Sequence, residues 1–478
     1  MNNNRVTVMK KIMLLAIIAL HVVTYAQPEK IIDEFVVQNK VPGMFVSVVR
    51  GDSVLYQKNV GFADREHEIP LTAATCMELG SVSKVFTAEV IYMLHYEGLI
   101  NLNDPIHKYL PYVPASWSAI TIKHLLTHTS GILNYLSEPR FRAVEYFNNI
   151  YEPTAEQFFN TITPDSMVQM FYSLPLEFSP GFTWSYSNTG YYLLGKIGEA
   201  VTGRPFFELV KDMVTDPLKM THTKANEMAA KEMCLAKGYL LNNSLLTNAR
   251  VLQSNYAFSA GAWATTGQDM IHFMMAIHQR SLPSDKVGFD WRKPPDNGDL
   301  PFTYNGGRYY TTFHGMHIIS HNGGTPGFSS SWIYVVEKNT SIIILMNRQD
   351  YAAIDQFAWE VLSNFESSLT YPQKDRSGVK ERKITKKVLA VLLAVESNES
   401  YPKGLSKPLE HFLKSESGKG FWKWYFERGF PVHARCVDVE QIDKAKLYRF
   451  LLPYSKETVY QLSVLVNEKG ELSQLRWW

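Results

Sequence analysis

The chain is poor in cysteine: Cys76, Cys234 and Cys436 are the only three in 478 residues. So few, so widely spaced, cannot build a disulfide framework, and without a Cys-x-x-Cys pair they do not read as a zinc or redox site. One disulfide in an exported protein stays open, with a thiol left over. An excess of one charge is missing too, since 48 Lys and Arg stand against 46 Asp and Glu. A chain this close to neutral gives no global electrostatic case for nucleic acid. Beyond residue 26 no apolar run reaches the ~20 residues that span a bilayer, so no stable transmembrane segment is expected there. Gly306-Gly307 is not followed by Lys-Ser or Lys-Thr and reads as a turn, not a phosphate loop. His124 and His128 come without a His-Glu-x-x-His context or a third ligand, so neither a metal nor another cofactor is called for.

What is present begins with a targeting pattern. Arg5, Lys10 and Lys11 precede the apolar run from Ile12 to Leu20, and Thr24-Tyr25-Ala26 offers a small-residue cleavage point. Residues 1–26 read as a secretory signal peptide, which predicts a periplasmic or secreted protein of bacterial-type export. A retained anchor is the alternative, disfavoured because the run is shorter than a bilayer span. Cleavage removes three basic residues and no acidic one, taking the formal net charge from +2 to −1. The composition, 45% hydrophobic and 20% charged, can bury a large core in two or three domains.

After Pro28 an amphipathic helix carries Ile31, Ile32, Phe35 and Val36 on one side. Met44 to Val49 and Val54 to Val60 predict a hairpin around Gly51-Asp52. A helix follows from Ser81, with Gly98 placed as its C-cap. Residues 100–280 are expected to be a largely helical insertion, with Thr121 and Thr266 as N-caps and Asn188 to Ala200 a helix closed by Gly203. Strands return at Tyr309 to Phe313, Met316 to Ser320, Ser330 to Val336 and Ser341 to Met346, and Ala352 to Leu362 closes as a helix. Short turns between consecutive strands predict antiparallel pairing, so the fold class is α+β, an antiparallel sheet flanked by helices with an inserted helical domain. The expected divisions are a large domain at 27–372, a polar, basic linker or solvated helix start at 373–387 and a small C-terminal α+β domain at 388–478. That last unit holds a helix near Val388 to Val395, the aromatic stretch from Phe421 to Phe426 and a final hairpin, Tyr460 to Val466 with Leu472 to Trp477.

Three segments carry chemistry. Gly80-Ser81-Val82-Ser83-Lys84 opens a helix, so Lys84 can reach back to the Ser81 hydroxyl, and the helix N-terminus favours negative charge there. A serine needs a nearby base to become a nucleophile, and a lysine serves only if its pKa is lowered. Tyr186-Ser187-Asn188 supplies a phenol that can relay a proton and an amide that can grip an amide substrate. His321-Asn322-Gly323-Gly324 follows a predicted strand, and its glycines let a substrate approach backbone N–H groups.

Together the three segments resemble the serine β-lactamase and penicillin-binding-protein family, in particular its class C β-lactamase-like branch with D-peptidases and esterases, over residues 28–365. Ser-x-x-Lys, Tyr-x-Asn and Lys/His-x-Gly occur in the family's order, beside the familiar-looking His124 to Gly131, Tyr191 to Gly195 and Ala260 to Thr266. The resemblance implies Ser81 as nucleophile, Lys84 as its activating partner and Tyr186 as sharing the base role and protonating the leaving group. It implies that His321 helps to organise charge, that Asn188, Asn322 and Gly323 bind substrate, and that the N–H groups of Ser81 and Gly324 form the oxyanion hole. It implies an acyl-enzyme hydrolase of a D-amino-acid-containing peptide or ester, with a weak β-lactamase and a non-catalytic binder of a peptidoglycan fragment or partner as alternatives. His321 and Asn322 depart from Lys-Thr-Gly, and a mostly neutral histidine anchors a carboxylate less firmly than lysine does, which weakens the β-lactam reading.

Overall fold

The computed structural model describes residues 28–477, except 138–168, 170, 243, 296–299, 301, 350, 371–378, 398, 416–417, 420–421, 423–429, 432 and 454–458. The expected signal peptide and most of the aromatic stretch at 421–426 lie outside the described residues; of that stretch, Trp422 is buried.

The chain opens with helix α1 (residues 28–38). Strands β1 (Gly43–Arg50) and β2 (Ser53–Asp64) follow as the expected hairpin, with a bulge between Val48 and Val49. β3 (Ile69–Pro70) and β4 (Cys76–Glu78) lead to helix α2 (Lys84–Tyr96), then come α3 (Ile122–Leu126) and α4 (Asn188–Thr202). β5 (Lys224–Ala225), β6 (Tyr239–Asn242), β7 (Leu245–Asn248), β8 (Trp263–Thr266) and α5 (Gly267–His278) precede β9 (Tyr304–Asn305), β10 (Arg308–Phe313), β11 (Met316–Thr325), β12 (Phe328–Val335), β13 (Thr340–Met346) and α6 (Tyr351–Phe365).

The main sheet has eight strands in the order β3-β2-β1-β13-β12-β11-β10-β9. β1 pairs antiparallel with β13, Met44 opposite Met346, so the two ends of the domain close on each other. Successive side chains of a strand point to opposite faces. Met44, Val46 and Val48 accordingly join the core under α1 and α6, whereas Phe45 and Val49 join the larger core under α2 and α5. Both faces are covered, which is why Met44 to Val49 is apolar on both sides apart from Ser47, whose buried hydroxyl donates to the Tyr56 carbonyl at 3.1 Å. On one side Phe35 stacks on Phe357 with ring centroids 3.8 Å apart; on the other Phe273 packs edge-on against Trp332 at 5.7 Å.

Local capping follows the side chains. Thr121 accepts from the His124 N–H, Thr266 from the Asp269 N–H, and Gly203 ends α4 in the left-handed conformation. Helices predominate among the described residues of 100–280, and short strands that were not expected join them. Within 100–280 the described residues also hold β6 paired with β7, and β8 between β4 and β5 in a three-stranded sheet. Strands of two to four residues are too short to show a period of two. Cys76 and Cys234 form a disulfide across 158 residues of sequence, and Cys436 is buried elsewhere.

The C-terminal region contains α7 (Val379–Ser397), α8 (Lys407–Lys414) and an antiparallel sheet of β14 (Arg435–Ile442), β15 (Ala445–Pro453), β16 (Val459–Val466) and β17 (Leu472–Trp477) in sequential order. The stretch expected to be a linker at 373–387 is helical from Val379 onward. Arg382, Lys383 and Lys386 face solvent, while Val388, Val391 and Leu392 enter the core. Of the two readings of this basic stretch, the solvated start of a helix fits from Val379 onward.

Candidate active site

Gly80–Ser83 form one turn of 3-10 helix before α2. In that geometry side chains three apart eclipse, which brings Lys84 directly to Ser81. Lys84 Nζ lies 3.0 Å from Ser81 Oγ, 2.7 Å from Asn188 Oδ1 and 2.6 Å from the Ala260 carbonyl oxygen. Ser81 is half-buried, whereas Lys84 is 0% exposed. Burial holds the amine well below its usual range. An uncharged amine has two N–H donors and one lone pair. Asn188 and Ala260 offer acceptors for both donors, which leaves the lone pair for the Ser81 proton.

Ser187 caps α4 by accepting from the Gly190 N–H, which sets Asn188 at the first helical position. Asn134 Oδ1 accepts from both the backbone N–H and the side-chain amide of Asn188, each at 3.2 Å, and so orients the oxygen that Lys84 meets. Tyr186 spans the same space: its ring centroid is 4.9 Å from Lys84 Nζ and 4.3 Å from the His128 ring. Its hydroxyl is enclosed and makes no hydrogen bond of normal geometry. Burial raises the phenol well above its usual range, so it stays protonated. His128 holds this segment from below by accepting the Ser187 N–H on Nδ1, while His124 Nδ1 accepts the Thr121 N–H.

The third segment prolongs the strand expected to end at Ser320: β11 continues through His321 to Thr325 and pairs with β12, His321 opposite Trp332. The imidazole of His321 is 2% exposed. Its Nδ1–H donates to the Asn322 carbonyl at 2.5 Å and its Nε2 accepts from the Tyr304 hydroxyl at 2.9 Å. Burial, and then the Lys84 amine, push its pKa down to about 3. The expected charge-organising residue is thus a neutral ring that ties Tyr304 to the strand. The side chain of Asn322 turns to the opposite face of the sheet, where its amide donates to the Asp355 carboxylate; Ser331 Oγ donates to the same carboxylate at 2.6 Å. Asn322 is therefore not brought to Ser81 by its side chain.

Gly323 has to be glycine: a Cβ there would stand 1.9 Å from the Leu79 carbonyl oxygen and 3.0 Å from the Ser81 nitrogen. The Gly324 nitrogen lies 2.5 Å from where a Cβ of Gly80 would be, so β11 runs hard against the backbone that carries Ser81. Gly307 meets the site from the other side, with its N–H donating to Tyr191 Oη at 2.7 Å. A Cβ on it would come 2.6 Å from the Lys84 carbonyl carbon.

Several participants had no sequence signal. The Ala260 carbonyl is a backbone atom, and Asn134 and Tyr304 stand outside the motifs. Glu78, three residues before Ser81, is fully enclosed; Oε1 accepts from the Leu252 N–H at 3.1 Å, and burial raises its pKa to about 8.

The chain is similar to known proteins over most of its length. The beta-lactamase family model matches residues 28–364. Penicillin-binding protein 4* of Bacillus subtilis is 25% identical over 363 residues, which cover 71% of this chain and 75% of that protein. The crystal structure of a D-stereospecific amidohydrolase from Streptomyces sp. matches with a TM-score of 0.57 at 26% identity, over 68% of this chain and 94% of its own. The octameric penicillin-binding protein homologue from Pyrococcus abyssi matches with a TM-score of 0.59 over 95% of this chain and 100% of its own; at 20% identity it shows the fold alone.

Proposed function

The chain belongs to the beta-lactamase family, and on that premise we propose that it is an exported serine hydrolase that cleaves a D-amino-acid-containing peptide or ester through an acyl-enzyme on Ser81. The observation that carries the reading is the enclosed Lys84 amine 3.0 Å from Ser81 Oγ, with acceptors for both its N–H groups. In the proposed cycle the Lys84 lone pair takes the Ser81 proton as Oγ attacks the substrate carbonyl. The developing oxyanion is received by the N–H groups of Ser81 and Gly324. The Tyr186 phenol, too hard to ionise to serve as a resting base, gives its proton to the leaving group and regains one from Lys84. Water then attacks the acyl-enzyme by the reverse proton path and releases the acid.

The neutral His321 weighs against efficient β-lactam turnover, since it offers no cation to a substrate carboxylate. The likeness to a D-stereospecific amidohydrolase supports a D-configured substrate. Export is supported by the pattern in residues 1–26 and by the Cys76–Cys234 disulfide, a bond that persists in oxidising compartments. The test is covalent: a fluorophosphonate should label the wild-type protein at Ser81, located by mass spectrometry, and the Ser81→Ala variant should stay unlabelled while keeping its melting temperature. Equal labelling of the two proteins rejects Ser81 as nucleophile. D-Ala-D-Ala peptides, p-nitrophenyl esters and a chromogenic cephalosporin, compared side by side, then rank the substrate classes.

A further inference from the structure

The C-terminal unit touches the hydrolase on two separate walls of the cleft. One foot is α8, which rests on residues 177–184, the segment that leads into Tyr186 and Asn188. There Thr183 Oγ1 donates to the Pro408 carbonyl at 2.8 Å, and His411 Nε2 donates to the Glu177 carbonyl at 3.2 Å. Phe412 packs against Trp184 with centroids 5.8 Å apart, and the Trp184 ring lies 6.3 Å from that of Tyr186. The other foot is the sheet, which rests on the β10–β11 hairpin. Arg476 donates to Ser320 Oγ at 3.0 Å and to the Tyr310 carbonyl at 3.2 Å, with its guanidinium 4.9 Å from the Tyr309 ring centroid. Ser320 is the residue before His321. Farther along, Gly315 N–H donates to Glu440 at 2.7 Å and Arg449 donates to the Thr312 carbonyl.

The two feet are joined by a short, stiff link. Ser406, the N-cap of α8, donates its N–H at 2.9 Å to the carbonyl of Leu472, where β17 begins. The Leu472 N–H in turn donates to the Gly404 carbonyl at 2.9 Å. One wall carries the Tyr186 phenol and the other the Gly324 amide, and Ser81 works between them. We propose that the C-terminal unit is a brace across this cleft, with His411 and Arg476 as positioning residues that fix the separation of the two walls; the catalytic part of the inference rests on the Ser81 reading above. It gives the last hundred residues a role in turnover and not only in stability.

The test uses full-length His411→Ala, Arg476→Gln and the double variant, with His411→Gln and Arg476→Lys as conservative partners that keep a donor at each foot. Misplacing a reacting group by a fraction of an ångström lowers kcat, so each disruptive single variant should lose ~10-fold in kcat on a small neutral ester, with KM within ~2-fold. The conservative variants should recover most of that loss. A brace freed at one foot no longer bears on the other, so the double variant should sit within ~2-fold of the worse single. Multiplicative losses, or unchanged kcat in both singles, would overturn the proposal, as would equal losses in the conservative variants.

Amide hydrogen exchange supplies a readout independent of catalysis. Arg476→Gln should speed exchange in residues 177–188, across the cleft, as well as in residues 308–325; acceleration confined to the hairpin it touches overturns the brace. A wild-type protein that is never labelled at Ser81 would reject the catalytic reading instead, and the cross-cleft exchange would still decide the mechanical one.

Discussion

Asn188→Asp puts the activation of Ser81 to a direct test, because it keeps an oxygen 2.7 Å from Lys84 Nζ but gives it charge. With an effective dielectric of about 20, a unit charge at that distance favours the ammonium by roughly 6 kcal/mol, or about 4 pH units. Enclosure of the new carboxylate opposes its ionisation and takes back part of this, so the amine pKa moves upward by less than the bare Coulomb figure. The sign follows from which form is active. In the wild-type protein burial lowers the amine pKa, so the base form is present at lower pH than in an exposed lysine. In Asn188→Asp the amine holds its proton more tightly, so the acid limb moves up and activity below that limb falls about 10-fold for each pH unit of the displacement. Raising the pH should restore it. The assay is kcat/KM on an uncharged p-nitrophenyl ester between pH 5 and pH 10, which keeps substrate charge out of the profile. Loss of the donated hydrogen bond to Asn134 would add a uniform decrease, but a uniform decrease has no pH slope. A variant that is weaker at every pH by one factor, with its acid limb unmoved, would refute Lys84 as the titrating base.

Two further outcomes follow from the enclosed groups. Tyr186→Phe should slow amide cleavage by 10²-fold or so and p-nitrophenyl ester cleavage by far less, because only the amine leaving group needs the proton that the phenol supplies; equal losses on amide and ester would assign Tyr186 to the attack step instead. Glu78 has a folded pKa of about 8, above its ordinary 4.5, so the folded protein binds the extra proton between those values and the stability this contributes is lost as pH rises. Glu78→Gln removes the titration but keeps an acceptor for the Leu252 N–H, so its stability relative to wild type should climb with pH across that window by up to about 1.4 kcal/mol per unit. Urea denaturation at several pH values measures the difference, and a difference that does not vary with pH would mean that Glu78 is ionised in the folded state.

Much of this arrangement was legible before any coordinates. The β1–β2 hairpin was marked by Gly51-Asp52 between two apolar runs, and α4 by its apolar face with Gly203 at the end. Pairing between β1 and β13 was not, because nothing local in Met44–Val49 names a partner some 300 residues away. The strand that carries His321 was cut short for a physical reason. Gly323-Gly324 resembles a loop, yet the glycines are there because the Leu79–Ser81 backbone leaves no room for a Cβ beside an otherwise regular strand. The first helix of the C-terminal unit was legible only in part, since Arg382, Lys383 and Lys386 form the solvent face of a helix whose buried face begins only at Ile384 and Val388.

The site divides along the same line. Ser81, Lys84, Tyr186 and Asn188 could be picked out because their side chains suit the proposed chemistry and the spacing within each motif is local. The conditions that would let Lys84 act as the proposed base could not, because they are supplied by atoms with no signature. One is the Ala260 carbonyl, presented by a turn in which Phe258 takes φ +40°, a conformation that costs a non-glycine residue roughly 1–3 kcal/mol. The turn is pinned by Ser259, whose carbonyl accepts from Thr87 Oγ1 at 2.6 Å and whose hydroxyl donates to the Tyr191 carbonyl at 2.9 Å. Another is Asn134, which turns the amide of Asn188 so that its oxygen, not its nitrogen, faces the amine. With no acceptor at either place, a buried neutral amine would leave an N–H unsatisfied or swing one toward Ser81 and lose the alignment of its lone pair. The pKa of Lys84 is set by enclosure, but its usefulness is set by direction, and direction comes from a carbonyl and an asparagine that lie 176 and 50 residues away from it in the chain.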